Sequence, residues 1–345
     1  MSRRTFIRFM LLTGIGGGIV VDEFLSQPLG LFKWLKANTR RIVNAYSESA
    51  EVAISNADYR GDITSALRNV WDALNLPSVV SKRVVVVPQI IYALNNREAN
   101  TSPLVVSALI RVLREKGAAE VTVAAASPYY RDMTDLLYTG EGGGYMGVFE
   151  KQGVNFVDLN HDDVVKVAVK GEYSGRKQLW LPKTLVNADM IVSVPKMRTD
   201  QWLGVSVALA GLPNMLSGVV YGFPKNSYTV SGPETNLADL YETLPPQITV
   251  VDGVEGMEGD APFFGRNRST QALIVGKDAV AVDATCARIM GLEPGEKQLR
   301  HIWLLNWLGL GQYLPDKIQQ KVLPLQAVQQ KYAVATPIDL RALRF

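Results

Sequence analysis

Thiol and imidazole groups are scarce in this chain of 345 residues. Its one cysteine, Cys286, leaves no pair for an intrachain disulfide. It also leaves too few thiolates for a four-cysteine zinc site or a cysteine-ligated iron–sulfur cluster. Two histidines, His161 and His301, are too few for a multi-histidine metal centre. A metal ion would therefore be held mainly by oxygen, which favours hard divalent cations. A basic body is lacking as well. The net charge is +3, but seven of the 36 basic and two of the 33 acidic residues fall within residues 1–41, a local +5. The other 304 residues carry −2, so there is no basic stripe for a phosphate backbone, and nucleic acid is not an expected partner. With 47% apolar and 20% charged residues, the chain can bury a sizeable core and is not of disordered composition.

The positive charge marks the start of the chain. Ser2-Arg3-Arg4-Thr5-Phe6-Ile7-Arg8 is followed by an uncharged, glycine-bearing stretch from Phe9 to Val21. Paired arginines before a mildly apolar run fit a twin-arginine export signal, expected over residues 1–23, with the twin-arginine machinery as partner. The run is 13 residues, short against the roughly 20 that span a bilayer. No Ala-x-Ala site follows, so an uncleaved tether is as compatible as a cleaved signal. Residues 24–60, with Phe24, Leu25, Leu29, Leu31, Phe32, Trp34 and Leu35, read as an amphipathic connector. It suits either a membrane surface or packing on the body. The expected location is across the cytoplasmic membrane, in the periplasm or its equivalent, with or without membrane tethering.

From residue 61 onward, strand and helix patterns alternate. Apolar strands read at Arg83–Pro88, Glu120–Ala126, Asn155–Leu159, Asp189–Pro195, Gln247–Asp252 and Gln271–Gly276. Helices read at about 200–211, 234–243, 279–290 and 297–307. Another opens at Thr101-Ser102-Pro103, a hydroxyl cap with proline in the first turn, and closes at Gly117. This predicts an α/β fold, a largely parallel sheet covered by helices on both faces, in a single domain over 61–345 with a C-terminal helical extension. In such sheets ligands bind beyond the carboxyl ends of the strands, which selects the segments just after each strand.

Two of those segments are rich in carboxylates. Asp252-Gly253-Val254-Glu255-Gly256-Met257-Glu258-Gly259-Asp260 reads as a strand end running into a glycine-rich acidic loop. Such a loop suits a hard cation or proton transfer, and equally suits a solvated turn. In Gly276-Lys277-Asp278-Ala279-Val280-Ala281-Val282-Asp283, Asp278 is placed as a helix N-cap. Asp283 falls inside an apolar helix, where a carboxylate needs a partner, whether ligand or buried cation. Lys196 and Arg198 directly follow a strand and suit an anion or a solvated face. Three weaker patterns favour structural roles. Gly142–Gly147 fits Gly-x-Gly-x-x-Gly but follows a helix and turn rather than a strand. Ser206 has a nucleophile-elbow-like neighbourhood but reads as a packed serine in a helix, with His301 on a helical surface. Cys286 reads as a buried thiol.

The order of these segments resembles the family named domain of unknown function 362. Its C-terminal signature is met by Asp252, Gly253, Gly256, Met257, Glu258, Gly259, Gly276, Asp278, Val280, Ala281, Val282, Asp283, Met290 and Gly291. Upstream, Thr101-Ser102-Pro103, Lys116-Gly117-Ala118, Val194-Pro195-Lys196 and the turn at Asn214 also fit, over about residues 61–295. The resemblance implies an α/β domain and carries no reaction with it. Members often have Lys-Pro-Asn where this chain has Val87-Pro88-Gln89, and histidines near Thr101, after Lys196 and after Asn214 that are absent here. The ferredoxin-like cysteine segment of some members is also absent, so an iron–sulfur cluster is not carried over.

Together these readings give an exported α/β protein binding a small anionic ligand in a strand-end cleft, with or without a divalent cation. Asp252, Glu258, Asp278 and Asp283 would hold the cation or balance Lys196. Lys196 and Arg198 would meet the ligand's charge, and Asn214 would orient it. The alternatives are a metal-assisted enzyme using the same carboxylates and a membrane-tethered assembly or maturation factor without catalysis.

Overall fold

Runs of β-branched residues build the centre of the molecule. The computed structural model describes residues 48–91, 99–129, 133, 137, 144–225, 228 and 232–337. The expected export signal, the connector up to residue 47 and the glycines at 142 and 143 lie outside these residues.

Strands β1 (Ala50–Asn56), β2 (Arg83–Pro88), β3 (Glu120–Ala125), β4 (Asn155–Asp158), β7 (Met190–Val194), β8 (Lys196–Asp200), β9 (Gly204–Ser206), β10 (Ile248–Asp260), β11 (Phe264–Gly276) and β12 (Ile318–Val322) form one sheet. Its order is β12-β1-β11-β10-β7-β2-β3-β4, with β8 branching from β10 and carrying β9. The pairs β12–β1, β10–β7, β10–β8, β7–β2, β2–β3 and β3–β4 are parallel. The β1–β11, β10–β11 and β8–β9 pairs are antiparallel. Strands β5 (Val164–Ala168) and β6 (Gln178–Pro182) make a separate hairpin.

The sheet is buried from both sides, as its continuous apolar strands require. Along β2, Val84 and Val86 join one apolar cluster with helices α1 (Ile63–Asp72), α2 (Pro103–Glu115) and α3 (Gly144–Gln152). Val85 and Val87, on the other face, are also buried. The same alternation holds at Leu273 and Val275 against Ala272 and Ile274 of β11. The second face is met by α6 (Ala279–Ile289), which packs on β11, β1 and β10 and on the one-turn α4 (Ala208–Gly211) and α7 (Arg300–Trp307). Helix α5 (Pro233–Thr243) packs on α4 and α7. The α/β class with a mostly parallel sheet is as the sequence predicts.

Helix α2 starts as expected. Ser102 is its N-cap, with the hydroxyl accepting from Leu104 N, Pro103 opens the first turn, and Gly117 follows at φ +90°.

Four expectations are corrected. Ala50–Asn56, placed in the amphipathic connector, is an inner strand of the sheet, because its alternation buries Val52 and Ile54 on one face and Ala53 on the other. Residues 200–211, read as a helix, instead hold a turn, β9 and the short α4. Gly204 at φ +76° reverses the chain so that Ser206 pairs with Arg198. The acidic loop after Asp252 is the continuation of β10, which pairs with β11 as far as Asp260. The C-terminal extension is not purely helical, since after α7 the chain returns to the sheet as β12.

Candidate functional site at the strand ends

The carboxyl ends of β2, β3, β7 and β4 bring Gln89, Ser127, Lys196 and Asn160 to one rim of the sheet, all buried. Lys196 and Asp252 are register partners on β8 and β10 and neither is exposed. The Lys196 ammonium donates to Asp252 Oδ2 at 3.0 Å and to the Tyr59 hydroxyl at 2.8 Å. Tyr59 in turn donates to the carboxylate, 2.8 and 2.9 Å from its two oxygens, and the Ser102 backbone N–H adds a bond of 2.7 Å to Oδ2. Burial, reinforced by the Asp252 charge, holds the Tyr59 phenol far above its ordinary range, so it remains a donor. The Lys196 backbone N–H goes to Gln89 Oε1 at 3.1 Å, and the Gln89 N–H goes to Thr101 Oγ1 at 3.1 Å. The charge of Lys196, assigned to a ligand from sequence, is thus matched within the protein by Asp252.

Arg198 is different. It is 3% exposed, its Nη1 donates to Ala99 O at 2.7 Å and its Nη2 to Ser206 Oγ at 2.9 Å. Among the described residues its Nε has no hydrogen-bond partner and no carboxylate lies within ion-pair distance. Burial pushes its guanidinium down to about 10, which still leaves it charged at neutral pH. Asn214, 5% exposed, lies in a single 3-10 turn (Leu212–Met215) just after α4, and its amide makes no hydrogen bond among the described residues.

The remaining carboxylates are held apart, each by donors of the chain. Asp278 caps α6, accepting from Val280 N and Ala281 N at 2.9 and 3.0 Å, and takes Gln312 N at 2.8 Å. Burial raises it to about 6. Asp283, fully buried inside α6, accepts Ala208 N at 2.7 Å and Leu209 N at 3.2 Å, so it caps α4 from a neighbouring helix. Glu258 accepts from Ala333 N at 3.0 Å and Arg266 at 3.3 Å. Among the described residues no three or more histidine, cysteine, aspartate or glutamate side chains are grouped to hold a metal ion.

The glycines of β10 have a packing cause. A Cβ on Gly256 would lie 2.6 Å from Met197 O and 2.8 Å from the Tyr332 hydroxyl, so glycine is needed where β10 and β8 approach. A cavity of about 230 Å³ opens at the opposite end of the sheet, where Gly276 of β11 aligns with Thr249 at the start of β10. It is lined by Glu48, Tyr241, Lys277, Asp278 and Gln312 among others, and holds only Asp278 of the expected site residues.

Residues 84–288 match the family described as Domain of unknown function (DUF362). The chain belongs to this family. The DUF362 match runs from β2 to α6 and contains Lys196, Arg198, Asn214, Asp252 and Asp283, whereas Tyr59, His301 and β12 lie outside it. A thylakoid-associated protein from Synechocystis sp. is 21% identical over 260 residues, covering 72% of this chain and 76% of that protein. The lactate racemase apoprotein from Thermoanaerobacterium thermosaccharolyticum aligns with a TM-score of 0.46 at 14% identity, over 71% of this chain and 57% of that one. A protein from Thermotoga maritima aligns with a TM-score of 0.34 at 14% identity, over 72% and 58%. The chain thus spans somewhat under three fifths of these two solved structures. No helix among the described residues is long and apolar enough to cross a membrane.

Sequence reasoning missed two residues near this rim, Tyr59 and Lys225, and misplaced His301. Tyr59 lies 137 residues from Lys196 and no local pattern links them. Lys225 is 1% exposed, donating to Pro213 O at 3.0 Å and Ala126 O at 3.3 Å. Its one sequence signal is its place beside prolines and aromatics. His301 is on a helix as expected but fully buried rather than on the surface, its Nε2 3.7 Å from Asp283 Oδ2. Trp303 and Trp307 stack on one another along the same helix, which packs against α5 and α6. Cys286 is buried as read, and burial raises its thiol well above the usual range.

Proposed function

We propose that this protein binds a small anionic ligand at the carboxyl-end rim of its parallel strands, with Arg198 supplying the charge and Asn214 orienting the ligand. The observation that carries the reading is the buried Arg198 guanidinium, whose Nε has no partner and whose charge has no carboxylate at ion-pair distance among the described residues. A buried cation left in this state is costly, and an anion would relieve it. Lys196 belongs to the framework of the site, since Asp252 already balances it. A companion divalent cation has weaker support, because Asp252, Glu258, Asp278 and Asp283 are each engaged by donors of the chain. The reading is therefore of binding rather than metal-assisted turnover.

The test is calorimetric titration of purified protein with formate, acetate, oxalate, sulfate and phosphate. At least one anion should bind saturably, and Arg198→Met should weaken it roughly tenfold or more, as expected for loss of a charged hydrogen bond. Equal affinity in wild type and Arg198→Met, or no saturable binding at all, would sink the idea.

We further infer that residues 1–23 direct export by the twin-arginine route. Ser2-Arg3-Arg4-Thr5-Phe6-Ile7 ahead of an apolar run supports this reading. The relative described as thylakoid-associated supports a membrane-associated location. An Arg3→Lys/Arg4→Lys double variant should keep the protein in the cytoplasm on cell fractionation. Unchanged partitioning would count against the signal.

A further inference from the structure

Two hairpin turns leave the body at the carboxyl ends of the strands. Strand β1 pairs with β11 only as far as Ala272, whereas β10 and β11 stay paired over residues 255–260 of β10. At about 3.3 Å per residue this carries the hairpin roughly 20 Å further. Strand β8 runs parallel beside it, and Thr199 Oγ1 donates to Gly259 O at 2.7 Å. The β8–β9 turn therefore lies next to the β10–β11 tip. Both turns present aromatic side chains to solvent. Phe264, in the last register pair of the hairpin, is 82% exposed, and Trp202, in the β8–β9 turn, is 44% exposed. Phe263 (39%) meets Tyr129 (37%) edge-on at a ring separation of 5.0 Å. The Asp200 carboxylate fixes the second turn by accepting from the Trp202 and Leu203 N–H groups at 2.8 and 2.9 Å.

The charges that solvent meets beside these rings are cationic. Alternation along β11 puts Phe264, Arg266 and Arg268 on one face. The Arg266 side chain is 76% exposed and that of Arg268 37%. The acids opposite them are turned to the chain: Glu258, only 10% exposed, accepts from Ala333 N, and Asp260 accepts from Thr336 N at 2.6 Å. Aromatic rings settle at the boundary between lipid headgroups and acyl chains, and arginines are drawn to anionic headgroups. The area available argues against a protein in the same place. The exposed parts of the four rings amount to about two whole side chains, roughly 300–500 Å². A stable protein interface buries about 800 Å² per partner.

We propose that the β10–β11 tip and the adjoining β8–β9 turn dock the folded body on an anionic lipid bilayer. Phe264 and Trp202 enter to the headgroup–acyl boundary, and Arg266 and Arg268 meet lipid phosphates. The inference rests on the membrane-associated location proposed above and names the surface that makes the contact. It needs neither the anion reading nor the export signal. It also orients the molecule. Ala261, in the tip, packs with Ala99 and Met257, and Ala99 O receives Arg198. Docking by the tip therefore turns the carboxyl-end rim, rather than the amino ends of the strands, towards the bilayer.

The experiment uses the full chain with a polarity-sensitive fluorophore on one introduced cysteine, Phe264→Cys, or on Val80→Cys as the control. Cys286 is buried and does not compete for the label. Val80 is 59% exposed and precedes β2, at the amino end of the strands. The vesicles are phosphatidylcholine alone, or phosphatidylcholine with one third phosphatidylglycerol. On the anionic vesicles the label at position 264 should shift to the blue and be quenched by brominated acyl chains, while the label at position 80 does neither. In flotation of unlabelled protein, Phe264→Ser should weaken binding about tenfold or more. The Arg266→Gln/Arg268→Gln double variant should weaken binding to the anionic vesicles only. Vesicle-bound protein whose 264 label stays in water would overturn the inference and assign the contact to another segment. A wild-type dimer that Phe264→Ser dissolves, with no vesicle binding, would give the tip to a second copy and overturn it equally. No binding to either vesicle also overturns the tip. The location reading is judged separately, by whether the wild-type protein fractionates with cell membranes.

Discussion

Lys196 and Asp252 face each other in register on two parallel strands and meet side chain to side chain at 3.0 Å, with neither exposed to solvent. Each is a strand-end charge of the kind that attracts a functional assignment, and each is cancelled by the other. What the pair secures is geometry. It ties β10 to β8 just where β10 shifts register between Gly253 and Glu255, and through Ser102 N–H it fixes the start of α2 on the same carboxylate.

Breaking one half of this pair should damage the fold more than removing both. Lys196→Met leaves a buried carboxylate without its cation and is expected to cost about 3–5 kcal/mol in urea unfolding. The Lys196→Met/Asp252→Leu double variant should recover a large part of that loss. A single variant within about 0.5 kcal/mol of wild type would show that the pair contributes little.

Asp278 should give stability a distinct pH dependence. Burial raises its folded value to about 6, above the 3.8 of an ordinary aspartate, so the folded state holds its proton more tightly than the unfolded state. Stability from this group is therefore fully present below about pH 4 and is lost as pH rises towards and through 6, by roughly 3 kcal/mol. Asp278→Asn, which keeps an oxygen for the Val280 and Ala281 N–H groups, should flatten this part of a stability-against-pH curve. A wild-type curve with no downward contribution there relative to the variant would be the contrary result.

Ser102 offers a smaller, local measurement. Its hydroxyl caps α2 through Leu104 N, while its backbone N–H serves Asp252. Ser102→Ala removes only the cap and should cost about 1 kcal/mol of stability. The anion titration curve should stay unchanged, which separates helix capping from the rim.

Two glycine substitutions distinguish a packed position from an open one. Gly256→Ala places a methyl 2.6 Å from Met197 O and should cost about 1–3 kcal/mol. Gly295→Ala meets nothing within 4 Å and should leave the thermal midpoint nearly unmoved. Equal midpoints for the two variants would mean that the β10–β8 contact yields easily.

The contrast between those glycines also explains what could be read from the chain alone. Val84–Val87 and Ile248–Val251 announce buried strands because apolar continuity is a local property, and Ser102-Pro103 announces a helix start for the same reason. Gly256 could not be interpreted locally. A glycine that makes room for a neighbouring strand and one that makes room for a ligand look identical in sequence, and only the position of Met197 decides between them. Asp283 was correctly marked as a carboxylate in need of a partner, but the partner is a pair of backbone N–H groups 74 and 75 residues away. Arg198 was placed beside a strand end by pattern, while the lack of a hydrogen-bond partner for its Nε among the described residues depends on the whole fold. Tyr59 and Lys225 were invisible because their roles arise from contacts made by distant strands.

The position of β1 has a temporal consequence. Strand β1 lies between β11 and β12, both far along the chain from it, and pairs with no strand that comes between β1 and β11 in sequence. A growing chain therefore exposes Val52 and Ile54 without a lasting neighbour until Phe264–Gly276 has emerged, and one flank stays open until Ile318–Val322 follows. Closure of this sheet waits for β12. Any factor that holds the nascent chain must wait for Ile318–Val322 before the edge seals.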